Sequence, residues 1–101
     1  MDCTTTAQGQ ELIATIRGSF TAADSNGFRD VLRKIEATDC RLVVLDLSGL
    51  EFADSAALSL MILAHRAADK AGKRLTLRGL KGQVKRVFEL TQLDEIFSSA
   101  A

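Results

Sequence analysis

Proline, tryptophan and tyrosine are absent from this 101-residue sequence, and histidine and cysteine are scarce. With five phenylalanines as its only aromatic residues, the chain has little with which to stack nucleic-acid bases. The single histidine, His65, has no cysteine or second histidine near it in sequence and cannot make a standard zinc site alone. These absences argue against a nucleic-acid partner and against a metal centre.

Long apolar runs are also missing, and none approaches the roughly 20 residues of a membrane-spanning helix. The first ten residues, MDCTTTAQGQ, have neither the basic start nor the apolar core of a secretory signal. Lysine plus arginine and aspartate plus glutamate both number 13, and this balance argues against attraction to nucleic acid or an anionic membrane. We therefore expect a cytoplasmic protein without membrane insertion, in which Cys3 and Cys40 are free thiols.

The residue constellations of common enzymes are not found. The seven glycines form neither GxGxxG nor GxxxxGK[ST], so no phosphate-binding loop is predicted. Gly79-x-x-Gly82 is compatible with a nucleic-acid clamp, but a turn before a helix explains it equally well. Ser55 and His65 would lie about 15 Å apart along one helix, too far for a serine–histidine pair. The sequence predicts a protein that is not an enzyme and has no cofactor.

Strand and helix patterns alternate along the chain, which implies an α/β fold with parallel pairing through helical crossovers. The run Leu42–Leu45 predicts a strand buried on both faces. A Thr21-x-x-Asp24 capping box precedes a helix whose apolar face carries Phe28 and Ile35. Strands are also predicted at 11–17, ended by Gly18, and at 73–78; helices are predicted at 55–71, capped by Gly72, and at 84–91.

Three segments are expected to be irregular or short. Residues 1–10 are polar and predicted to be loosely held. Asp46, Ser48 and Gly49 interrupt the buried run and predict a loop. Residues 93–97 predict a short final strand or a packed tail.

The stretch around which these elements are arranged ends in Asp54-Ser55, directly before an alanine- and leucine-rich helix. A short polar residue there is a helix start signal, and a plain N-cap explains the pair without further assumptions. Behind it, residues at helical spacing form a second stripe beside the apolar face. That stripe is either a solvated face or a surface that docks a partner closely. Its members are Ser55, Ser59, Ile62, Arg66 and Asp69.

The segment LDLSGLEFADSAAL resembles the signature of STAS domains of the single-domain anti-sigma factor antagonist type. Residues 16–21 (IRGSFT) are similar to the family's first strand and the turn after it, and 84–93 (VKRVFELTQL) to its closing helix. The resemblance covers about residues 11–97 of a single domain spanning 1–101. It implies a sheet of about four mostly parallel strands with helices packed mainly on one side.

The resemblance also implies a function. Ser55 occupies the position that a partner serine kinase, often the anti-sigma factor itself, phosphorylates, and a serine phosphatase resets it. Such a bacterial protein acts by partner switching in transcription control. The implied contact surface contains Asp54, Ser55, Ser59 and Ile62, with Ser19 and Thr21 adjacent. An alternative is an accessory subunit bound to the ATPase of a phospholipid-transport ABC transporter, where the same helix start is a permanent contact.

The sequence departs from the family pattern at three places. Ala57 stands where the family has a glycine, and we expect the methyl group to fill space otherwise open to a partner. Ser19-Phe20-Thr21 replaces the family's acidic turn, and Gln92 replaces a frequent glycine. These changes bear on the identity of the partner more than on the fold.

Overall fold

A four-stranded mixed sheet organises the chain, and a computed structural model describes it over residues 1–98. The strands lie in the order β1-β2-β3-β4; β1 is antiparallel to β2, and the other two pairings are parallel. The predicted α/β fold with a mostly parallel sheet is confirmed. The elements are β1 (Asp2–Gln8), β2 (Glu11–Phe20), a 3-10 helix (Ala22–Asp24), α1 (Ser25–Ala37), β3 (Leu42–Ala53), α2 (Ser55–Lys70), β4 (Arg74–Arg78), α3 (Gly82–Leu90) and α4 (Leu93–Ser98).

The main core lies between the helices and one face of the sheet. Alternate residues of the central strands, such as Ile16 in β2 and Val43 and Leu45 in β3, are fully buried in it. Because the alternation has period two, the polar residues between them fall on the opposite face. The helices contribute Phe28, Val31 and Ile35 from α1, Ala57, Leu58, Met61, Ala64 and Ala68 from α2, and Val84 and Phe88 from α3.

The opposite face of the sheet has its own small buried position. Val44 is 4% exposed, yet it is not part of the core beneath the helices. Its register partners are Ile13 in β2 and Thr76 in β4. The prediction that the strand at Leu42–Leu45 is buried on both faces is therefore confirmed.

The prediction that residues 1–10 are loosely held is wrong. Residues Asp2–Gln8 form an edge strand, with register pairs from Asp2↔Arg17 to Gln8↔Glu11, and Gly9 turns the chain at φ 63°. Threonines favour extended backbone, and ladder hydrogen bonds hold a strand that buries little. Polarity alone is therefore a poor sign of disorder here.

The predicted loop at Asp46–Gly49 is also wrong, because β3 continues to Ala53. β2 likewise runs past Gly18 to Phe20, with irregular register between Thr15 and Arg17 and between Gly18 and Ser19. Gly18 takes φ 81°, a conformation that glycine adopts without strain, so it bends the strand instead of ending it.

The remaining boundaries follow the sequence with one exception. Gly72, at φ 74°, follows α2 as the predicted cap, and its N–H donates to the Asp69 carbonyl. Of the two alternatives for residues 93–97, the strand is wrong and the packed tail is confirmed, because the segment forms the helix α4 and buried Phe97 packs on Phe88. Cys3 and Cys40 are free, as predicted. Within residues 1–98 no helix has the length and apolar character needed to cross a bilayer.

Candidate binding site at the start of α2

Asp54 joins three elements where β2 and β3 end. Its N–H donates to the Phe20 carbonyl at 3.2 Å. Its Oδ1 accepts from the Ala57 N–H at 2.8 Å, and its Oδ2 accepts from the Ala22 N–H at 3.2 Å. Asp54 is therefore the N-cap of α2 and also holds the 3-10 helix against it. Both oxygens of its carboxylate are engaged within the chain.

Ser55 is the first residue of α2, not its cap. The side chain is exposed, and its hydroxyl has no hydrogen-bond partner among the residues that the structure describes. Its backbone carbonyl accepts from Ser59 Oγ at 3.1 Å. The hydroxyl stands at the positive end of the helix dipole and is open to an incoming group.

The predicted capping box flanks Ala22, whose N–H binds Asp54. Thr21 Oγ1 accepts from the Ala23 N–H at 3.3 Å, and Asp24 Oδ2 accepts from the Thr21 N–H at 2.9 Å. It caps the 3-10 helix that precedes α1. The Thr21 N–H, followed by the terminal amine, holds the pKa of the Asp24 carboxyl below its usual range.

The two strand ends bring the predicted site residues together. β2 and β3 are parallel neighbours, and Ser19 pairs with Phe52 and Phe20 with Ala53 in register. Ser19 and Thr21 therefore flank the residue whose carbonyl binds Asp54. Phe20 itself is fully buried and holds this turn in the core.

Farther along α2, Ser59 and Ile62 line one shallow groove of about 310 Å³ with Leu63 and Arg66. Three members of the predicted stripe, Ser59, Ile62 and Arg66, therefore lie on one continuous surface. Leu63 is 45% exposed and adds apolar surface to this groove. Asp69 is exposed on α2 beyond the residues that line this groove.

Two residues near Ser55 were not found from the sequence. The Gln83 side chain in α3 accepts from the Ala53 N–H and donates to the Ala53 carbonyl, both at 3.2 Å. No local sequence pattern predicts a contact between residues 30 positions apart in the chain. Phe52 is 42% exposed and pairs with Ser19 in register. Because the register between β2 and β3 is irregular here, the alternation of buried and exposed residues along a strand does not predict that this side chain is exposed.

The expectation for Ala57 is wrong. Its side chain is completely buried and faces the core. The methyl group therefore fills interior space and takes nothing from a partner surface.

The site has few groups for acid–base or metal chemistry. Within the described part of the chain, no three His, Cys, Asp or Glu residues lie close enough together to hold a metal ion. His65 packs edge-on against Phe97, with ring centroids 5.3 Å apart. What the site does offer is a free hydroxyl on a rigid helix start, next to exposed Ser59 and the groove of Ile62 and Leu63.

Comparison with known proteins identifies relatives over nearly the whole chain. Residues 3–98 match the family model described as "Mlab, STAS domain". A STAS-domain containing protein of Pseudomonas aeruginosa (strain UCBPP-PA14) is 29% identical over 91 residues, which are 90% of this chain and 89% of the relative.

Solved structures share the fold. A putative anti-sigma factor antagonist from Thermotoga maritima superposes with a TM-score of 0.83 at 21% identity, covering 93% of this chain and 81% of that one. The unphosphorylated form of the anti-sigma factor antagonist SpoIIAA gives a TM-score of 0.79 at 16% identity, covering 93% and 84%. At these identities the likeness establishes the fold.

Proposed function

The chain belongs to the STAS domain family, and we propose that it is a non-catalytic regulatory module of the anti-sigma factor antagonist kind, switched by phosphorylation at Ser55. The observation that carries the proposal is the Ser55 hydroxyl, which is exposed, has no hydrogen-bond partner within residues 1–98, and begins a well-capped helix. The serine contributes nothing to the cap, since Asp54 supplies it. Its exposure leaves it free for modification.

A phosphate at Ser55 fits the fold. It would add about −1.5 to −2 charges at neutral pH, and the backbone N–H groups at the start of α2 favour such an anion. Because the Ser55 hydroxyl has no hydrogen-bond partner within residues 1–98, a phosphate there displaces no internal hydrogen bond of that side chain.

The same phosphate does not fit a close interface. A partner packed over Ser55, Ser59 and Ile62 would have to bury a solvated dianion next to the Asp54 carboxylate. Phosphorylation therefore abolishes the contact while the domain stays folded. The unphosphorylated form binds the serine kinase or anti-sigma factor, and a phosphatase restores that form.

The structural neighbours support the general kind of protein. One of them is described as an anti-sigma factor antagonist in its unphosphorylated form, so phosphorylation is a property of that protein. A permanent contact with the ATPase of an ABC transporter at the same helix start is the competing function, and the experiment below separates the two.

The test compares proteins captured from the native lysate by wild type, Ser55→Ala and Ser55→Asp, with mass-spectrometric identification. Asn26→Asp is the matched control, because it places the same charge on an exposed position of α1. We expect a serine kinase or anti-sigma factor with every form except Ser55→Asp. Capture of transporter subunits by all four forms would contradict the switch.

A further inference from the structure

Positive charge is concentrated in one short segment of this neutral chain. Residues 73–86, KRLTLRGLKGQVKR, contain six of the 13 cations and no Asp or Glu. The rest of the chain carries the other seven cations against all 13 anions, so a formal charge of +6 is balanced by −6 elsewhere. Of the exposed cations in this segment, Arg74 and Arg78 lie on β4, whereas Lys81, Lys85 and Arg86 lie at the start of α3; these last three are called the basic surface below.

Little in the fold neutralises the basic surface. Within residues 1–98 none of its three members forms an ion pair, whereas Arg78 on β4 pairs with Asp46 at 3.3 Å. Lys81 occupies the N-cap of α3 without a side-chain cap bond, and the first turn has no acidic residue. Cations at that end oppose the helix dipole, so they do not serve the stability of α3.

The basic surface adjoins the start of α2. The two hydrogen bonds between Gln83 and Ala53 fix the first turn of α3 against the end of β3, directly before Asp54. Lys81 and Lys85 lie two residues to either side of Gln83. By chain reach, both lie within roughly 20 Å of Ser55, well inside the width of one protein interface.

We propose that the basic surface binds an acidic region of the same protein partner that docks on Ser55. The inference rests on the proposed function for the existence of that partner and adds its chemistry. It also gives phosphorylation a second effect, because the added negative charge at Ser55 repels the acidic region of a partner docked there.

A protein fits this surface better than a membrane or a nucleic acid does. The apolar residues of the segment, such as Leu75 and Val84, are buried or half-buried, so the segment offers no apolar row to a bilayer. Phe52 is 42% exposed next to Ala53, and aromatic residues are enriched in protein interfaces.

The test uses the intact chain labelled with ¹⁵N and a synthetic octaglutamate peptide as the acidic probe. We expect amide shifts confined to residues 53–55 and 81–86, and binding that weakens several-fold between 50 and 200 mM salt. The variant K81E/K85E/R86E should lose at least about tenfold in affinity through charge reversal. The control R29E/R33E/K34E, on exposed positions of α1, should retain it. Thermal unfolding of both variants verifies that they fold.

Three results would overturn the proposal: equal loss in the control, shifts spread over the whole chain, or binding of phosphatidylglycerol vesicles or duplex DNA in place of the peptide. The experiment is independent of the switch, since Ser55→Ala should bind octaglutamate like wild type. If the lysate comparison fails while the peptide binds here, the proposed function fails and the basic surface remains an acidic-protein site.

Discussion

At the scale of single residues, the carboxylate of Asp54 does more than an ordinary N-cap. It accepts one hydrogen bond from α2 and one from the 3-10 helix. We expect Asp54→Ala to lower the free energy of unfolding by about 1–2 kcal/mol, because both N–H groups lose their acceptor. Urea denaturation measures the loss.

Asp54→Ser separates the two bonds. A serine hydroxyl still caps Ala57 but loses the bond from the Ala22 N–H, so the variant should lose about 1 kcal/mol. The exposed Asp30, paired with Arg33 on α1, is the control, and Asp30→Ala should stay within about 0.5 kcal/mol of wild type. Equal losses in Asp54→Ser and Asp30→Ala would show that the bridge to the 3-10 helix contributes nothing.

The second residue-scale prediction concerns Asp46 on the face opposite the helices. The Ser48 hydroxyl donates to its Oδ1 at 2.7 Å, the Ser48 N–H donates at 3.1 Å, and Arg78 pairs with Oδ2. These contacts, led by the Ser48 hydroxyl, hold the pKa of Asp46 below its usual range. The stabilisation is therefore present above the unfolded-state pKa of about 3.9 and is lost as pH falls through the lower folded pKa.

Ser48→Ala tests this cause. The pKa of Asp46, followed by NMR of its carboxyl carbon, should rise towards the usual value, and more than in Arg78→Gln, since the hydroxyl is the larger influence. The acid-induced fall in stability that Asp46 contributes should then become smaller, because its folded and unfolded pKa values move closer together. If Arg78→Gln raised the pKa more than Ser48→Ala, the ion pair would be the main cause.

At the scale of elements, the sequence predicted what depends on local pattern. The 3.6-residue spacing of Phe28, Val31 and Ile35 placed α1, and Asp54 before an apolar run placed the start of α2. It missed the continuation of β3, because Asp46 is satisfied by Arg78 in a neighbouring strand, 32 residues later. A polar residue within a strand looks like a loop until its distant partner is known.

At the candidate site, too, the sequence revealed local features but not contacts between distant residues. Asp54 and Ser55 were found from their own neighbourhood, whereas the bonds from Gln83 to Ala53 join residues that no local pattern connects. The edge strand β1 was missed for a related reason. Its stability comes from pairing with β2, which a polar composition does not reveal.

The turn after β4 gives the element-scale prediction. Gly79 has φ 79°, and a Cβ there would lie 2.7 Å from the Cβ of Ser48 and 2.8 Å from its Cα and N. Gly79→Ala should cost about 2–5 kcal/mol, through the unfavourable backbone and the clash with β3. Gly72→Ala is the matched control, since its φ is 74° but a Cβ would contact nothing within 4 Å.

The difference between these two variants in urea denaturation isolates the clash. Gly72→Ala should cost about 1–2 kcal/mol from the backbone alone. Equal costs would mean that β3 moves at Ser48 and relieves the clash, so that the close approach of the turn adds nothing to the destabilisation of Gly79→Ala.

At the scale of the whole molecule, the topology gathers the site. β2 and β3 are parallel neighbours, so their carboxyl ends meet at one edge, and the turns that follow them carry Thr21 and Asp54 side by side. Gln83 brings α3 to the same edge. The proposed switch and the basic surface therefore share one support, the ends of β2 and β3.

The residue that would best stabilise the start of α3 is not the one that would best bind an acidic partner, and Lys81→Asp tests this difference. An aspartate at the N-cap of α3 should raise the free energy of unfolding by about 1 kcal/mol, since it supplies the missing cap and favours the helix dipole. The same change removes a cation from the basic surface and should weaken octaglutamate binding at 50 mM salt.

Lys70→Asp, in the last turn of α2, is the control of opposite sign and should lower the free energy of unfolding by about 0.5–1 kcal/mol. A Lys81→Asp variant that gained stability and kept full binding would show that Lys81 serves neither purpose, and the basic surface would then end at Lys85.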